Sequence, residues 1–289
     1  MTTPIPSAVR RRERVLLATL VGPATFYLLI FFLVPLGIVL TYSFLKRGAY
    51  GQLVWEFNLL NYVRVADPLY LSILGRSAFL ALANTLLCLV IGYPFAYYIV
   101  RQERASVRNF LLVLVMVPFW TNFLIRTYAW RVILGNDGPI NTLLLSLGLI
   151  DTPLQLLFND GAVLVGLVYG YLPFMILPLY AAIERIDFSL IEAAHDLYAS
   201  GWQAFRTVLL PLSMPGVIAG SILVFIPSLG AFVTPDLLGG AKTVMIGNLI
   251  QSQFLTVRDW PFGSALSMVL MALVLVATLI YFRKGGKTL

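Results

Sequence analysis

A chain of 289 residues with 60% hydrophobic and only 11% charged side chains cannot coat a water-soluble globule, because soluble domains carry roughly 25% charged residues. Its net charge of +7 is not gathered into a basic stripe on a soluble element, which argues against a nucleic-acid partner, and membrane topology accounts for it instead. One cysteine, Cys88, and one histidine, His195, exclude an internal disulfide framework and a His-rich metal site, and no cofactor is expected.

Six apolar segments, near 15–43, 76–99, 109–127, 161–183, 215–233 and 262–282, are long enough to cross a hydrocarbon core of about 30 Å. The expected fold class is therefore an all-α membrane protein with about six transmembrane helices, in contact with membrane lipid. The first segment follows Arg10, Arg11, Arg12 and Arg14, and its apolar run exceeds the roughly 7–15 residues of a signal-peptide core. A retained first transmembrane helix, 15–43, is expected. Six spans put both termini on one side. Assigning that side to the cytoplasm places twelve of the 20 Lys and Arg residues inside, with Arg101, Arg104 and Arg108 crowded into the short 100–108 connection. On this topology 1–14 and 284–289 are cytoplasmic, and the loops 44–75 and 128–160 are external. Those loops contain Trp55, Phe57, Tyr62, Leu143 and Leu156, which suits short interfacial helices or a docking surface. Tyr42, Tyr98, Trp130 and Trp260, near segment ends, read as interfacial anchors.

Several spans contain helix-weakening residues: Gly92-Tyr93-Pro94, Pro118, Pro173 with Pro178, and Pro227. Backbone carbonyls freed by such kinks are tolerated at depth only when buried in protein or lining a cavity, which fits a transport pathway, although prolines are also commoner in membrane helices generally. Arg126 is the only basic residue placed within a span. Either it snorkels to the outer headgroups, or it forms a salt bridge that fixes one conformation. Acidic residues avoid the span centres, so the usual signature of proton-coupled transport is missing, and no nucleophile partner for His195 or H-E-x-x-H motif suggests an enzyme. The C-terminal Gly286-Lys287-Thr288 is not a P-loop, since the required first glycine falls on Tyr281.

The loop 184–214 between the fourth and fifth spans holds the strongest local pattern, from Phe188 to Gly201. Ser189 and Glu192 form an S-x-x-E capping box and Gly201 a C-terminal stop, which predicts a helix of about eleven residues with Leu190, Ile191, Ala194, Leu197 and Tyr198 on one apolar face. The loop is too short to bury that face itself. It lies on the membrane interface or against a partner protein.

Glu192-Ala193-Ala194, with Val208-Leu209-Leu210-Pro211 after it, resembles the EAA loop of permease subunits of binding-protein-dependent ABC importers. In that family the loop forms a coupling helix seated in a groove of the ATPase subunit. The resemblance implies a contact set of Ser189, Glu192, Ala193, Ala194, His195, Asp196, Leu197, Tyr198 and Gly201. The family pattern has glycine six residues after the glutamate, where this chain has Tyr198, and Gly201 is expected to move the helix break by about one turn. Further stretches, Pro118 to Tyr128, Tyr171-Leu172-Pro173-Phe174-Met175, Pro235 to Gly240 and Arg258-Asp259-Trp260-Pro261, look like the spermidine/putrescine permease branch over roughly residues 60–280.

That likeness implies a type I ABC importer permease (MetI-like) fold with both termini cytoplasmic, a core transmembrane domain over 76–283, and a place in the bacterial inner membrane. It implies an ABC ATPase dimer, a second and different permease subunit, and an external substrate-binding protein as partners, with ATP hydrolysed on the separate subunit. The implied cargo is a polyamine, or another small cationic or amino-acid-like solute; a passive channel or secondary transporter is the alternative class. A flexible polycation needs aromatic faces, oxygens and a carboxylate along its route. Tyr93, Tyr97, Trp120, Asn122, Tyr169, Tyr171 and Asp236 have that chemistry, with helix packing and loop capping as their plainer uses.

Overall fold

The computed structural model describes the backbone of residues 7–285 and the side chains of residues 19–279. The side chains of Arg10, Arg11, Arg12 and Arg14, the first six residues and Gly286-Lys287-Thr288 in the tail lie outside the described residues. The chain order is α1 (Ser7–Ser43), a hairpin of β1 (Lys46–Arg47) and β2 (Leu53–Val54), α2 (Leu60–Val65), α3 (Pro68–Val100), α4 (Ala105–Trp120), α5 (Phe123–Ile133), α6 (Pro139–Ser146), α7 (Asp160–Ile183), α8 (Ser189–Asp196), α9 (Gly201–Ala204), a π-helical turn (Phe205–Leu209), α10 (Leu210–Leu229), α11 (Ile246–Leu255) and α12 (Trp260–Gly285). Short helices α2 and α6 and the hairpin occupy the two long loops where the sequence suggested interfacial elements.

Local chemistry sets the helix starts. The Asp67 carboxylate accepts the Leu69 N–H at 2.9 Å, and Pro68 fills the first helical position, where no N–H is needed, so α3 begins at Pro68 and not near 76. Arg76 therefore also lies within a long apolar helix, and Arg126 is not the only such basic residue.

Among the described residues five helices are long and apolar enough to span a membrane: α1 from Thr19, α3, α7, the run Gly201–Leu229, and α12 to Leu279. The expected third span, 109–127, is not one helix. α4 and α5 meet at 90°, and only as a broken pair do they make a sixth span. The break is written in Pro118-Phe119-Trp120-Thr121-Asn122: Thr121 is extended, its hydroxyl donates back to the Pro118 carbonyl at 2.9 Å, and Asn122 Oδ1 caps α5 by accepting the Leu124 N–H at 2.8 Å.

The chain divides into two compact units. One comprises the chain up to Val65 with Gln253–Ala272. Here Asn61 Nδ2 donates to the carbonyls of Ser43 (3.0 Å) and Leu45 (2.8 Å), tying α2 to the end of α1. The Arg64 guanidinium pairs with the Asp259 carboxylate at 2.8 Å and lies 3.9 Å above the Phe262 ring. Asp259 Oδ1 in turn accepts the Phe262 N–H at the start of α12, so Arg258-Asp259-Trp260-Pro261 is a helix-capping motif. No residue in the most apolar window of the α1 span is buried.

The other unit comprises Ala66–Ser252 and the chain from Leu273, and its core is the packing of α3, α7 and α10. Small residues let these helices approach. A Cβ on Gly216 would stand 2.5 Å from Ala182 Cβ and 2.7 Å from the Pro178 carbonyl, and one on Gly220 would stand 2.7 Å from Met175 Sδ. Gly216 and Gly220 form a G-x-x-x-G face on α10 that seats against α7, as expected where dispersion must do the work that water does in soluble cores. Buried polar links join the same helices: Asn84 Nδ2 donates to Ser228 Oγ at 2.7 Å, and the Tyr93 hydroxyl meets Ser213 Oγ at 2.7 Å. Cys88 is buried in this core, packed among apolar side chains.

Candidate functional site

α8 projects from the core unit with no fully buried residue. Its start departs from the expected capping box. Phe188 occupies the N-cap position with helical backbone (φ −66°, ψ −15°), and Asp187 Oδ1 accepts the Ser189 N–H at 3.0 Å, so Ser189 is the first helical residue and caps nothing. The capping box lies on the next helix, where extended Ser200 accepts the Gln203 N–H at 3.3 Å and Gln203 Oε1 accepts the Ser200 N–H at 2.7 Å. Hydrogen bonds from Ser189 hold the Asp187 carboxyl below the usual carboxylate range. A lowered folded-state pKa adds stability that is present above the unfolded value and is lost as pH falls through the folded value. Asp187→Ala, or acidification below about pH 4, is expected to fray the start of α8, visible as faster amide exchange at Leu190–Ala193.

The end of α8 is a Schellman motif. The Ala199 N–H donates to the Ala194 carbonyl at 3.0 Å and the Tyr198 N–H to the His195 carbonyl at 2.9 Å, which puts Tyr198 at the left-handed position with φ +62°. This is the position, six residues after Glu192, at which the family pattern has glycine. A left-handed tyrosine costs about 1 kcal/mol more than glycine there. The break has not moved to Gly201, which instead opens α9, and α8 spans eight residues, not about eleven. The physical reason is the Schellman hydrogen bonding itself, which Tyr198 accepts despite its Cβ. His195 reinforces the turn, its Nδ1–H donating to the Ala199 carbonyl at 3.0 Å.

The five residues expected on one apolar face separate. Ile191 and Ala194 are half-buried, with Ile191 against the core, whereas Leu190, Leu197 and Tyr198 are exposed, Leu197 at 81% and Tyr198 at 98%. Ser189, Glu192, Ala193, His195 and Asp196 are exposed too, so the projection presents carboxylates and apolar groups together to whatever lies outside the chain.

Two aromatic contacts root this projection. Phe188 stands against Tyr97 of α3 (ring centroids 6.3 Å apart) with the Arg101 guanidinium 5.4 Å from its ring. Trp202 stacks on Phe205 at 5.2 Å, and Phe205 meets the Tyr93 ring edge-on at 5.4 Å. An apolar cavity of about 740 Å³ opens between these parts, walled by Tyr93, Tyr97, Ile191, His195, Trp202 and Phe205 among others. A second, of about 570 Å³, includes Leu190 with Pro178, Arg185 and Pro215. Cavities thus lie on both sides of α8, whose flanking Phe188 and Phe205 both touch α3, through Tyr97 and Tyr93.

The seven candidate pathway residues fall on different elements, and three of them, Tyr93, Tyr97 and Tyr171, pack in one core cluster. Tyr93 and Tyr97 lie at the root of α8, and Tyr93 is only 8% exposed with its hydroxyl bonded to Ser213. Trp120 and Asn122 mark the α4–α5 break, with Trp120 exposed and Asn122 engaged as a cap. Tyr169 meets Trp130 of α5 edge-on, so Trp130 packs and is not simply an interfacial anchor, while Tyr171 donates to the Pro227 carbonyl at 3.3 Å, in the last turn of α10. Asp236 is exposed in the π-helical turn Pro235–Gly239, which packs against α5 and α7.

Arg126 forms no ion pair among the described residues. Its guanidinium lies 5.7 Å and 5.8 Å from the Phe119 and Phe123 rings, and its Nε and Nη1 are buried without hydrogen-bond partners. Arg126→Leu is expected to leave folding intact or raise the melting temperature, because it removes desolvated donors and keeps an apolar body between the rings. Thermal unfolding in detergent checks this.

Two polar clusters escaped the sequence reading. Arg108 pairs with Glu184 at 3.6 Å, and the Tyr180 hydroxyl donates to the same carboxylate, joining α4 to the end of α7. Asp160 accepts from Arg76 at 2.6 Å and from Thr243 at 2.7 Å. The only sequence signal for either was a charge beside an apolar segment, which does not name its partner.

The comparisons with known proteins agree with this architecture. The chain is 46% identical to the spermidine/putrescine transport system permease protein PotB of Salmonella typhimurium (strain SL1344), over 94% of this chain and 93% of the relative. It is 46% identical to the Escherichia coli (strain K12) protein of that name, over 93% and 96% of the two lengths. The inner membrane ABC transporter permease protein YdcU of E. coli K12 is 33% identical over 88% of each chain. Among solved structures, a chain of a bacterial alginate ABC transporter in complex with an alginate pentasaccharide-bound periplasmic protein superposes with a TM-score of 0.71 at 19% identity, covering 94% of both chains. A chain from an inward-facing MetNI methionine ABC transporter gives 0.55 at 18% identity, covering 76% of this chain and 95% of the other. These two likenesses concern the fold alone. The model of the family described as binding-protein-dependent transport system inner membrane component matches residues 88–284, the stretch that contains α7, α8, the capped turn after it and α10, and to this family the chain belongs.

Proposed function

We propose that this chain is the membrane-spanning permease subunit of an ATP-driven importer of polyamines, taking spermidine or putrescine from an external binding protein. The observation that carries the reading is the 46% identity to a spermidine/putrescine permease across 94% of the chain, which includes loops as well as spans. ATP is hydrolysed on a separate subunit present as a pair, and a second, different permease completes the pathway. Both termini are cytoplasmic, so 1–14, 100–108, 184–214 and 284–289 share one side, 44–75 is external, and the pathway lies in the core domain 76–283. α8 is the coupling helix. Ser189, Glu192, Ala193, Ala194, His195, Asp196, Leu197 and Tyr198, with Gly201 opening the next helix, meet the ATPase subunit, and closure of that subunit displaces α8 against Tyr97 and the Phe205–Tyr93 pair. The outer aromatic residues Trp120, Tyr169 and Tyr171, with Asn122 and the exposed Asp236 carboxylate, serve the polycation on its way in.

Uptake of labelled putrescine and spermidine tests this in cells lacking or expressing the chain with its partners, with and without ATP depletion. Accumulation is expected to require both the chain and ATP. Uptake indifferent to ATP would point to a channel or secondary transporter. No polyamine uptake, with the ATPase still co-purifying, would keep the importer and replace the cargo by another small cationic or amino-acid-like solute.

A further inference from the structure

Tyr198 combines two features that do not help the isolated chain. It holds the left-handed end of the α8 Schellman turn, where glycine would be unstrained, and its side chain is 98% exposed. Among the described residues its ring and hydroxyl meet nothing, and the adjacent Leu197 is 81% exposed. The strained turn thrusts the ring outward from the tip of the projection. Exposed apolar groups of this kind bury themselves in lipid or in protein, and charge separates the two. Asp187, Glu192 and Asp196 are exposed on the same short stretch, and α8 itself carries no Lys or Arg. Sinking the ring into a cytoplasmic leaflet would carry three carboxylates toward anionic headgroups. A protein pocket with an apolar floor and a Lys/Arg rim accommodates both ring and carboxylates.

We propose that Tyr198 is an aromatic anchor for the partner ATPase, its ring filling an apolar pocket on that subunit while Glu192 and Asp196 face basic residues at the rim. The proposal rests on the assignment of α8 as the coupling helix and adds to it the residue that carries the affinity. Large aromatic side chains that are exposed when alone and fully desolvated in the complex dominate interface energetics, while the contacts around them mainly exclude water.

The test uses the full transporter chain co-expressed with its ATPase, purified in detergent and reconstituted in nanodiscs. Tyr198→Gly is expected to keep or raise the melting temperature of the chain, because it relieves the turn, and yet to weaken ATPase binding at least about tenfold. Tyr198→Phe is expected to retain binding within about threefold, since the ring is kept. Glu192→Lys serves as the reference for the coupling assignment. If Tyr198→Gly binds the ATPase as tightly as the wild-type chain while Glu192→Lys does not, the anchor is wrong and the coupling helix stands. If both variants bind normally, the coupling assignment falls as well. A fluorophore on Tyr198→Cys, selective because Cys88 is buried, should be shielded on ATPase addition; quenching by brominated lipid in ATPase-free nanodiscs would assign the ring to the membrane and overturn the proposal.

Discussion

Gly216→Leu is expected to abolish the folded transporter, leaving little monodisperse protein after detergent extraction. α10 reaches α7 so closely at this point that even a methyl group would overlap Ala182 Cβ at 2.5 Å and the Pro178 carbonyl at 2.7 Å. Neither obstacle is a flexible side-chain tip, so the helix axes must separate. Separation uncouples the neighbouring contacts of Gly220 with Met175, loosens the α3–α7–α10 core and threatens the Tyr93–Ser213 and Asn84–Ser228 bonds, which need the same approach. Overpacking commonly costs about 1–3 kcal/mol, and a rigid backbone obstacle in the central packing of a marginally stable fold puts this site at or beyond the upper end. Gly75→Leu is the matched control. It adds the same side chain to α3, where a Cβ meets nothing within 4 Å, and should extract normally. Size-exclusion profiles of both variants against the wild type decide the matter, and a monodisperse Gly216→Leu peak would refute the packing argument.

Glu192→Lys is expected to cut ATP-driven uptake at least about tenfold while leaving the amount of membrane-inserted protein unchanged. Within the chain the Glu192 carboxylate is exposed and has no side-chain partner among the described residues, so reversing it breaks nothing internal. Glu184 makes the contrast. Its carboxylate is held by Arg108 and Tyr180, so a change there would disturb the α4–α7 junction and confound folding with coupling. Inside the chain the charge at 192 meets only the N-terminal turn of α8, an effect of about 0.3–1 kcal/mol, so a large loss of uptake with normal insertion reports on a partner. Uptake of labelled substrate, normalised to immunoblotted protein in the membrane fraction, measures it, and undiminished ATP-driven uptake would remove Glu192 from the coupling role.

Much of the architecture was legible because the bilayer makes its demands locally. Hydropathy over about 20 residues identifies a span whatever it packs against, and all six expected segments correspond to apolar helices, although one is a bent pair. Two caps are written just as locally, although the expected spans, starting near 76 and running through 109–127, made no use of them. Asp67-Pro68 and Asn122 are local start signals, and the second shows why the stretch around Pro118 is a break and not a mid-span kink. Ser189-x-x-Glu192 was a false local signal. The backbone of Phe188 stays helical, which denies Ser189 the extended geometry that a capping residue needs and that Ser200 has.

The amino-acid sequence by itself determined that this chain lives in a membrane, roughly where its helices run, and that the loop after α7 carries a short helix with apolar residues the loop is too short to bury itself. Those properties depend on composition, on segment length and on residues within about one helical turn of each other. Only the tertiary structure decided that α4 and α5 turn through 90°, that Tyr93 and Tyr97 stand at the root of α8, that Tyr198 holds the left-handed end of the Schellman turn, and that Gly216 sets the α7–α10 approach. Most of these turn on which surfaces meet across long stretches of chain, as Tyr93 meets Ser213 and Asn84 meets Ser228. A hydroxyl or a glycine looks the same in sequence whether it faces lipid or another helix, and close packing chooses between them.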